Sequence, residues 1–311
     1  MDSISTIQRF PLYRMLSTVQ GSPSSMNMST IRYSPMWMRM MPNEAAALST
    51  VGLISNTDYL STMNRFTPPI VVEAWHGLGS RLKALVSGMC AADEVGKEVH
   101  VIWSVTADCG AKFADLFDIV AAPLPVWTHV HNELSVGYTQ HACDTQAQWD
   151  AVKHTKAVTY LKSGSRFHTT ADVKFAYWLK SLKPVAAITT AVALDLTGIV
   201  GVHLRRTDNM VSITSSPNSA FITAMQARPA ETRFFVASDS AEDRAALEAA
   251  FPGRILTVAK NLTRNSKEGL QDALKDFVAL SKCSEILGSK GSAFSEMAAL
   301  YGGVALTVVT V

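Results

Sequence analysis

The run Gly201-Val202-His203-Leu204-Arg205-Arg206-Thr207-Asp208-Asn209 passes from apolar residues to two adjacent arginines within a few positions. Ile199 to His203 is predicted to be a buried parallel strand, because Val and Ile dominate it and no polar face alternates along it. Open α/β sheets bind their ligands beyond the carboxyl ends of the strands. Arginines at that end call for an anion, most simply a phosphate, whose oxygens the guanidinium fork grips in pairs. Strand alternation sends His203 and Arg205 to one face, and Leu204 and Arg206 to the other. Asp208 can pair with either arginine and hold it in one rotamer. Two neighbouring arginines after a buried strand are costly to desolvate without an anion.

The rest of the chain from Pro69 onward has the same alternating character. Ile70 to Trp75 is a predicted strand, His76-Gly77-Leu78-Gly79-Ser80 a tight turn, and Ser80 the expected cap of a helix running to about Glu94. Val99 to Ser104 completes a βαβ start. A second βα series begins at Ile199, after a boundary placed at Asp195 to Gly198. Its expected strands are Ile199–Leu204, Arg233–Ala237, Arg254–Val258, Glu285–Leu287 and Val304–Val309. The expected helices are Ser219–Ala227, Ala241–Ala250, Lys267–Lys282 and Ser292–Leu300. The fold class is α/β: two Rossmann-like domains with largely parallel sheets, residues 69–196 and 197–311, facing each other across a cleft.

Three further segments repeat the strand-then-ligand logic. Gly77-Leu78-Gly79-Ser80-Arg81 follows a strand and opens a helix, where glycines admit a phosphate to unpaired N–H groups. It lacks the third glycine of a dinucleotide fingerprint and the Gly-Lys-Ser/Thr of a P-loop. Phe234 to Ser240 is a buried strand ending in Ser-Asp. There Ser240 is an ordinary N-cap and Asp239 faces the cleft. Gly288-Ser289-Lys290-Gly291-Ser292-Ala293-Phe294-Ser295 leads into a helix with hydroxyls and N–H groups suited to phosphate. Asp276, on the preceding helix, is by itself most simply a solvated acid. His129 and His131 alternate on one strand with His141 nearby, but no carboxylate completes a metal site at familiar spacing.

The 311 residues have room for two domains. A net charge of +2 supplies no global field for nucleic acid. The four cysteines, Cys90, Cys109, Cys143 and Cys283, are scattered and read as reduced thiols. No stretch reaches the ~18 apolar residues of a membrane span. Residues 1–68 differ from the rest and are expected to be a poorly structured leader. Nine of the thirteen methionines lie there, with no lysine, and the first 41 residues carry four arginines and one acid, the composition of a transit peptide. The expected location is the cytoplasm, with organelle targeting by this segment as the alternative. Asn261-Leu262-Thr263 is a formal glycosylation sequon that matters only in a secreted chain.

Taken together, these motifs resemble the fucosyltransferase superfamily: α-1,6-fucosyltransferases, nodulation fucosyltransferases and protein O-fucosyltransferases. His203-Leu204-Arg205-Arg206-Thr207-Asp208 is similar to the first motif of the α-1,6 group, Phe235 to Asp239 to the second, and Asp276 with Ser289 to Ser295 to the third. Gly77 to Arg81 resembles the amino-terminal glycine loop, and the likeness spans residues 69–311. It implies a GT-B fold and inverting transfer of a sugar, typically L-fucose, from a GDP-sugar to a glycan or protein, with no divalent metal or other cofactor. It also implies roles. Arg205 holds the β-phosphate, with Arg206 and Asp208 beside it at the catalytic centre. His203 lies against the nucleotide, Asp276 reads the guanine edge, and Gly77, Gly79, Ser80, Asp239, Ser292 and Ser295 line the donor site. In α-1,6 enzymes a glutamate follows the first motif as candidate base. Here Met210 to Ser215 holds no carboxylate, which leaves Asp208, Glu73 or another group to serve, or a binding module that has lost its base. The end of the chain at Val311, just after the last strand, suggests a minimal core with loose closure.

Overall fold

Apolar runs of β-branched residues become central strands here because helices cover both of their faces. The structure, a computed structural model, describes residues 68–118, 126–127, 139–258 and 261–311. The leader up to residue 67 and the histidines at 129 and 131 lie outside the described residues. In chain order the first elements are β1 (Ile70–Ala74), α1 (Leu78–Val95), β2 (Val99–Ile102), α2 (Phe113–Leu116), β3 (Val126–Trp127), β4 (Gln140–Ala142) and α3 (Gln146–Val152). Next come β5 (Thr159–Ser163), α4 (Asp172–Ser181), α5 (Ala186–Ala191), β6 (Val200–Leu204), α6 (Met210–Ser215) and α7 (Asn218–Gln226). The chain closes with β7 (Phe234–Ser238), α8 (Ala241–Ala250), β8 (Ile255–Leu256), α9 (Lys267–Lys282), β9 (Glu285–Ser289), α10 (Ala293–Gly302) and β10 (Ala305–Val309).

The strands form two five-stranded sheets, ordered β3-β2-β1-β5-β4 and β10-β9-β6-β7-β8, and every pairing within them is parallel. In each sheet the first strand sits in the middle and the chain later crosses to its other side. The order therefore reverses between β1 and β5 and between β6 and β9, and such crevices are where open α/β sheets take ligands. All five residues of β1 and of β6 are buried. The Glu73 carboxylate within β1 accepts hydrogen bonds from the Tyr160 hydroxyl at 2.6 Å and Gln140 Nε2 at 2.7 Å, with Lys162 at 3.3 Å. Burial and that carboxylate push the Tyr160 hydroxyl up, so it stays a donor.

One apolar core runs through both halves of the unit Pro69–Val311. Leu82 and Leu85 of α1, Trp103, Phe113, Phe277 of α9 and Met297 of α10 all belong to it. The other face of the second sheet has its own core, in which Val202, Leu204, Phe234 and Val236 meet Phe221, Met225 and Leu247. The helices α1 and α10 start against each other. A Cβ on Gly79 would lie 2.7 Å from the Phe294 backbone nitrogen and 2.9 Å from the Ala293 carbonyl carbon, so only glycine permits this approach. Lys83 and Glu296 pair at 2.6 Å beside it.

Helix α1 begins at Leu78 with Gly77 as its N-cap, so Ser80 lies in the first turn rather than capping it. With no side chain bonding at that cap, the first N–H groups of α1 have no capping oxygen. Four short elements, α2, β4, α3 and α6, carry too little periodicity to stand out in the sequence. Two of them are set by caps: Thr145 accepts from Gln148 N for α3, and Asn209 accepts from Ser212 N for α6. No helix among the described residues is long and apolar enough to cross a membrane.

Glu94, near the end of α1, ties that helix to α3 and to the segment after β5. It accepts from the Trp149 indole at 2.6 Å, Lys153 at 2.9 Å and His168 Nε2 at 2.9 Å. The Trp149 N–H, followed by Lys153 and His168 and against a desolvation cost, holds its pKa well below the usual carboxylate range, at about 2. A carboxyl whose folded value is depressed stabilises the fold above its unfolded value and loses that contribution as pH falls towards the folded one. Thermal unfolding measured between pH 5 and pH 2 should therefore show a steeper loss of stability in the wild type than in Glu94→Gln.

Candidate active site

The carboxyl ends of β1, β6, β7 and β9 converge on one cavity of about 520 Å³. This lies within the range of small-ligand sites. His76, Gly77, Gly79 and Ser80 line it from the first sheet. His203, Arg205, Asp208, Ser238, Asp239 and Gly291 to Phe294 line it from the second, and Asp276 from α9. Alternation along β6 works as expected. His203 and Arg205 face the cavity, while Leu204 enters the opposite core and the Arg206 guanidinium lies 5.6 Å from the Phe221 ring on that far side.

Arg205 is held by the neighbouring strands. Its backbone N–H donates to Ser289 Oγ at 3.1 Å, and that hydroxyl donates to the His203 carbonyl at 3.1 Å, across the point where strand order reverses. Its guanidinium bonds Asp239 at 2.8 Å and Asp208 at 2.5 Å. Asp239 fixes the turn after β6 by also accepting from the Arg206 N–H and the Thr207 hydroxyl, both at 2.7 Å. A second guanidinium completes the cluster: Arg264 grips Asp208 in bidentate fashion at 2.7 and 3.0 Å and stands 3.7 Å from Asp239. Two arginines and two aspartates thus form a charge-balanced lattice on the cavity wall, partly open to solvent. An entering anion meets both cations already oriented.

The helix starts of α1 and α10 line the same cavity and present backbone N–H groups and the positive ends of their dipoles. Ser292, at the N-cap of α10, makes no side-chain capping bond; its Oγ lies 3.4 Å from His203 Nδ1. The His203 ring stacks on Phe294 at 4.8 Å and 26°. Asp276, read alone as a solvated acid, is 6% exposed and sits on the cavity wall, because α9 is buried along the stripe that carries it.

Three expectations change. Arg206 does not line the cavity: it donates to Ser216 O at 2.6 Å and to Asn218 Oδ1 at 2.9 and 3.1 Å, 3.6 Å from Asp243, and burial lowers its pKa despite that carboxylate. Ser295 is buried beneath β9, where its Oγ donates to Ser292 O at 3.3 Å, and it does not line the cavity either. Glu73 is enclosed by Tyr160, Gln140 and Lys162, away from the cavity wall. Sequence reasoning missed Arg264 and Asp108, which lie on aperiodic loops. Those loops meet tightly: Gly110 N donates to the Arg264 carbonyl at 2.9 Å, and a Cβ on Gly110 would lie 2.1 Å from the Asn265 carbonyl carbon. His76 stood inside the glycine turn but was given no role there. Among the described residues no group of three or more His, Cys, Asp or Glu side chains is arranged to hold a metal ion.

No family model and no curated protein matches the chain. Solved structures do. The NodZ α-1,6-fucosyltransferase soaked with GDP-fucose is 16% identical with a TM-score of 0.55, covering 76% of this chain and 93% of that one; a structure of NodZ from Bradyrhizobium gives the same identity and score. A mutant of Arabidopsis thaliana FUT1 in complex with GDP is 13% identical with a TM-score of 0.56, covering 86% and 77%. POFUT1 in complex with GDP is 11% identical with a TM-score of 0.50, covering 79% and 99%. The fold is the GT-B type of the fucosyltransferases.

The two adjacent arginines should separate experimentally. Arg206→Ala leaves Asn218, Asp243 and the Ser216 carbonyl without their buried partner and is expected to cost about 3 kcal/mol of stability. Arg205→Ala, at a partly exposed position, is expected to shift thermal unfolding by only a few degrees. Equal losses in the two melting curves would contradict this division of labour.

Proposed function

We propose that the chain is a glycosyltransferase that moves L-fucose from a GDP-sugar to a glycan or protein acceptor, with inversion and without a divalent metal. The observation that carries this reading is Arg205, fixed at the end of β6 and lining a cavity that two helix starts also line. Transfer gives the sugar oxocarbenium character while negative charge grows on the departing diphosphate. Preoriented cations and N–H dipoles aimed at that charge lower the barrier. Arg205 binds the β-phosphate, Gly77, Gly79, Ser80 and Ser292 approach the pyrophosphate through backbone and hydroxyl, and His203 packs against the nucleotide. Asp276 reads guanine, whose N1–H and exocyclic amine present two donors to one carboxylate. Asp208 and Asp239 hold Arg205 in place, and Arg206 supports the turn from behind. The likeness to fucosyltransferases solved with GDP or GDP-fucose supports the donor class.

A non-catalytic GDP-sugar-binding module is favoured by one feature: α6, directly after the arginines, carries no carboxylate. Calorimetry and turnover distinguish the two. GDP is expected to bind at least tenfold more tightly than ADP or UDP, and no preference for GDP would sink the donor assignment. Consumption of GDP-fucose should persist in EDTA and fall about 100-fold or more in Arg205→Ala. Tight GDP binding with no consumption identifies the binding module.

A further inference from the structure

We propose that His76 is the general base that accepts the proton of the attacking hydroxyl, an inference that rests on the glycosyltransferase reading above. In that reaction the acceptor oxygen bonds to the anomeric carbon, and the bond from that carbon to the diphosphate breaks with its electron pair leaving on GDP. The hydroxyl proton passes to the imidazole and from there to solvent. Among the described acidic and imidazole side chains that line the cavity, Asp208 and Asp239 are each bound by Arg205 and Arg264. His203 is buried and stacked on Phe294, and Asp276 is buried in the cavity wall. His76 and Asp108 remain, both exposed at the lip formed by the ends of β1 and β2.

The geometry favours His76. It is the one described non-glycine residue in the left-handed region, with φ of 66°. Positive φ is uncommon outside glycine, and although histidine adopts it more readily than most residues, such positions gather at functional sites where the surroundings hold them. Here the surroundings are visible. The fully buried Arg81 holds the His76 carbonyl at 2.7 Å through Nε, and its other nitrogens bond Ser104 O at 2.6 Å and Thr106 Oγ1 at 2.9 Å. The imidazole is seated over Gly164, where a Cβ would lie 2.5 Å from Cδ2, with the Trp75 ring edge-on at 6.4 Å. Its charged surroundings are Arg81 through the carbonyl, Lys162 over the Trp75 ring at 3.6 Å, Asp144 through Ser163 beside Gly164, and Asp108 across the lip. The imidazole thus stands one residue before the cap of α1, next to the place where the helix start takes the diphosphate.

The test uses the full chain and GDP-fucose with water as acceptor, since hydrolysis also sheds a proton from the attacking oxygen. His76→Gly and His76→Asn both tolerate positive φ. Each is expected to bind GDP within about threefold of wild type and to lose about 100-fold in kcat/KM. The acid limb of the wild-type kcat/KM profile should disappear in both variants, and added imidazole should restore part of the rate in His76→Gly. Wild-type rates in these variants overturn the assignment. So does a loss of rate with the acid limb intact and no rescue, which would mark a positioning role, or removal of the limb by Asp108→Asn instead. Wild-type protein that neither binds GDP nor consumes GDP-fucose overturns the parent reading, an outcome distinct from any variant result.

Discussion

The site depends on two helix starts meeting with their backbones in contact. Gly79 of α1 has room for no side chain against Ala293 and Phe294 of α10, and Lys83 pairs with Glu296 just beyond. That contact joins the helices of two separate sheets into one apolar core and points two sets of unsatisfied N–H groups into one cavity. A methyl group at that position would push the helices apart and open the core together with the cavity. The packing of the two helices and the shape of the cavity are set by the same close approach, so neither can drift without the other.

Around that contact, charge is arranged in layers. Arg81 is fully buried and spends its guanidinium on backbone oxygens and a hydroxyl, locking the turn after β1 to the loop after β2. Arg206 does the same behind β6 with Ser216 and Asn218. Among the described arginines, Arg205 and Arg264 line the cavity, and both are prepaired with aspartates. A cation tethered in this way meets an incoming phosphate with little reorganisation, which is what electrostatic preorganisation requires.

Much of this was readable from periodicity. Helices at Ala241–Ala250 and Lys267–Lys282 appear with the expected bounds, because apolar spacing and the caps Ser240 and Ser266 agree there. The strand ends carrying His203, Arg205 and Asp239 were legible for a different reason: a buried parallel strand must stop where polar residues begin. Elements without such agreement were not legible. Gln140–Ala142 is a short polar edge strand, and Met210–Ser215 owes its turn to one asparagine cap. Asp276 looked solvated because helical periodicity says which residues share a face and not what covers that face.

The amino-acid sequence by itself determined two parallel βα series and the strand end at which the arginines gather, since both follow from local pattern and residue chemistry. Alternation put the two adjacent arginines on opposite faces, but only the tertiary structure decided that the face of Arg205 opens on the cavity and that of Arg206 lies behind Phe221. It also brought Arg264, from a loop with no pattern, onto Asp208, and held His76 in a left-handed turn above Gly164. These depend on atoms from segments far apart in the chain, and no local spacing encodes a distance across a cavity.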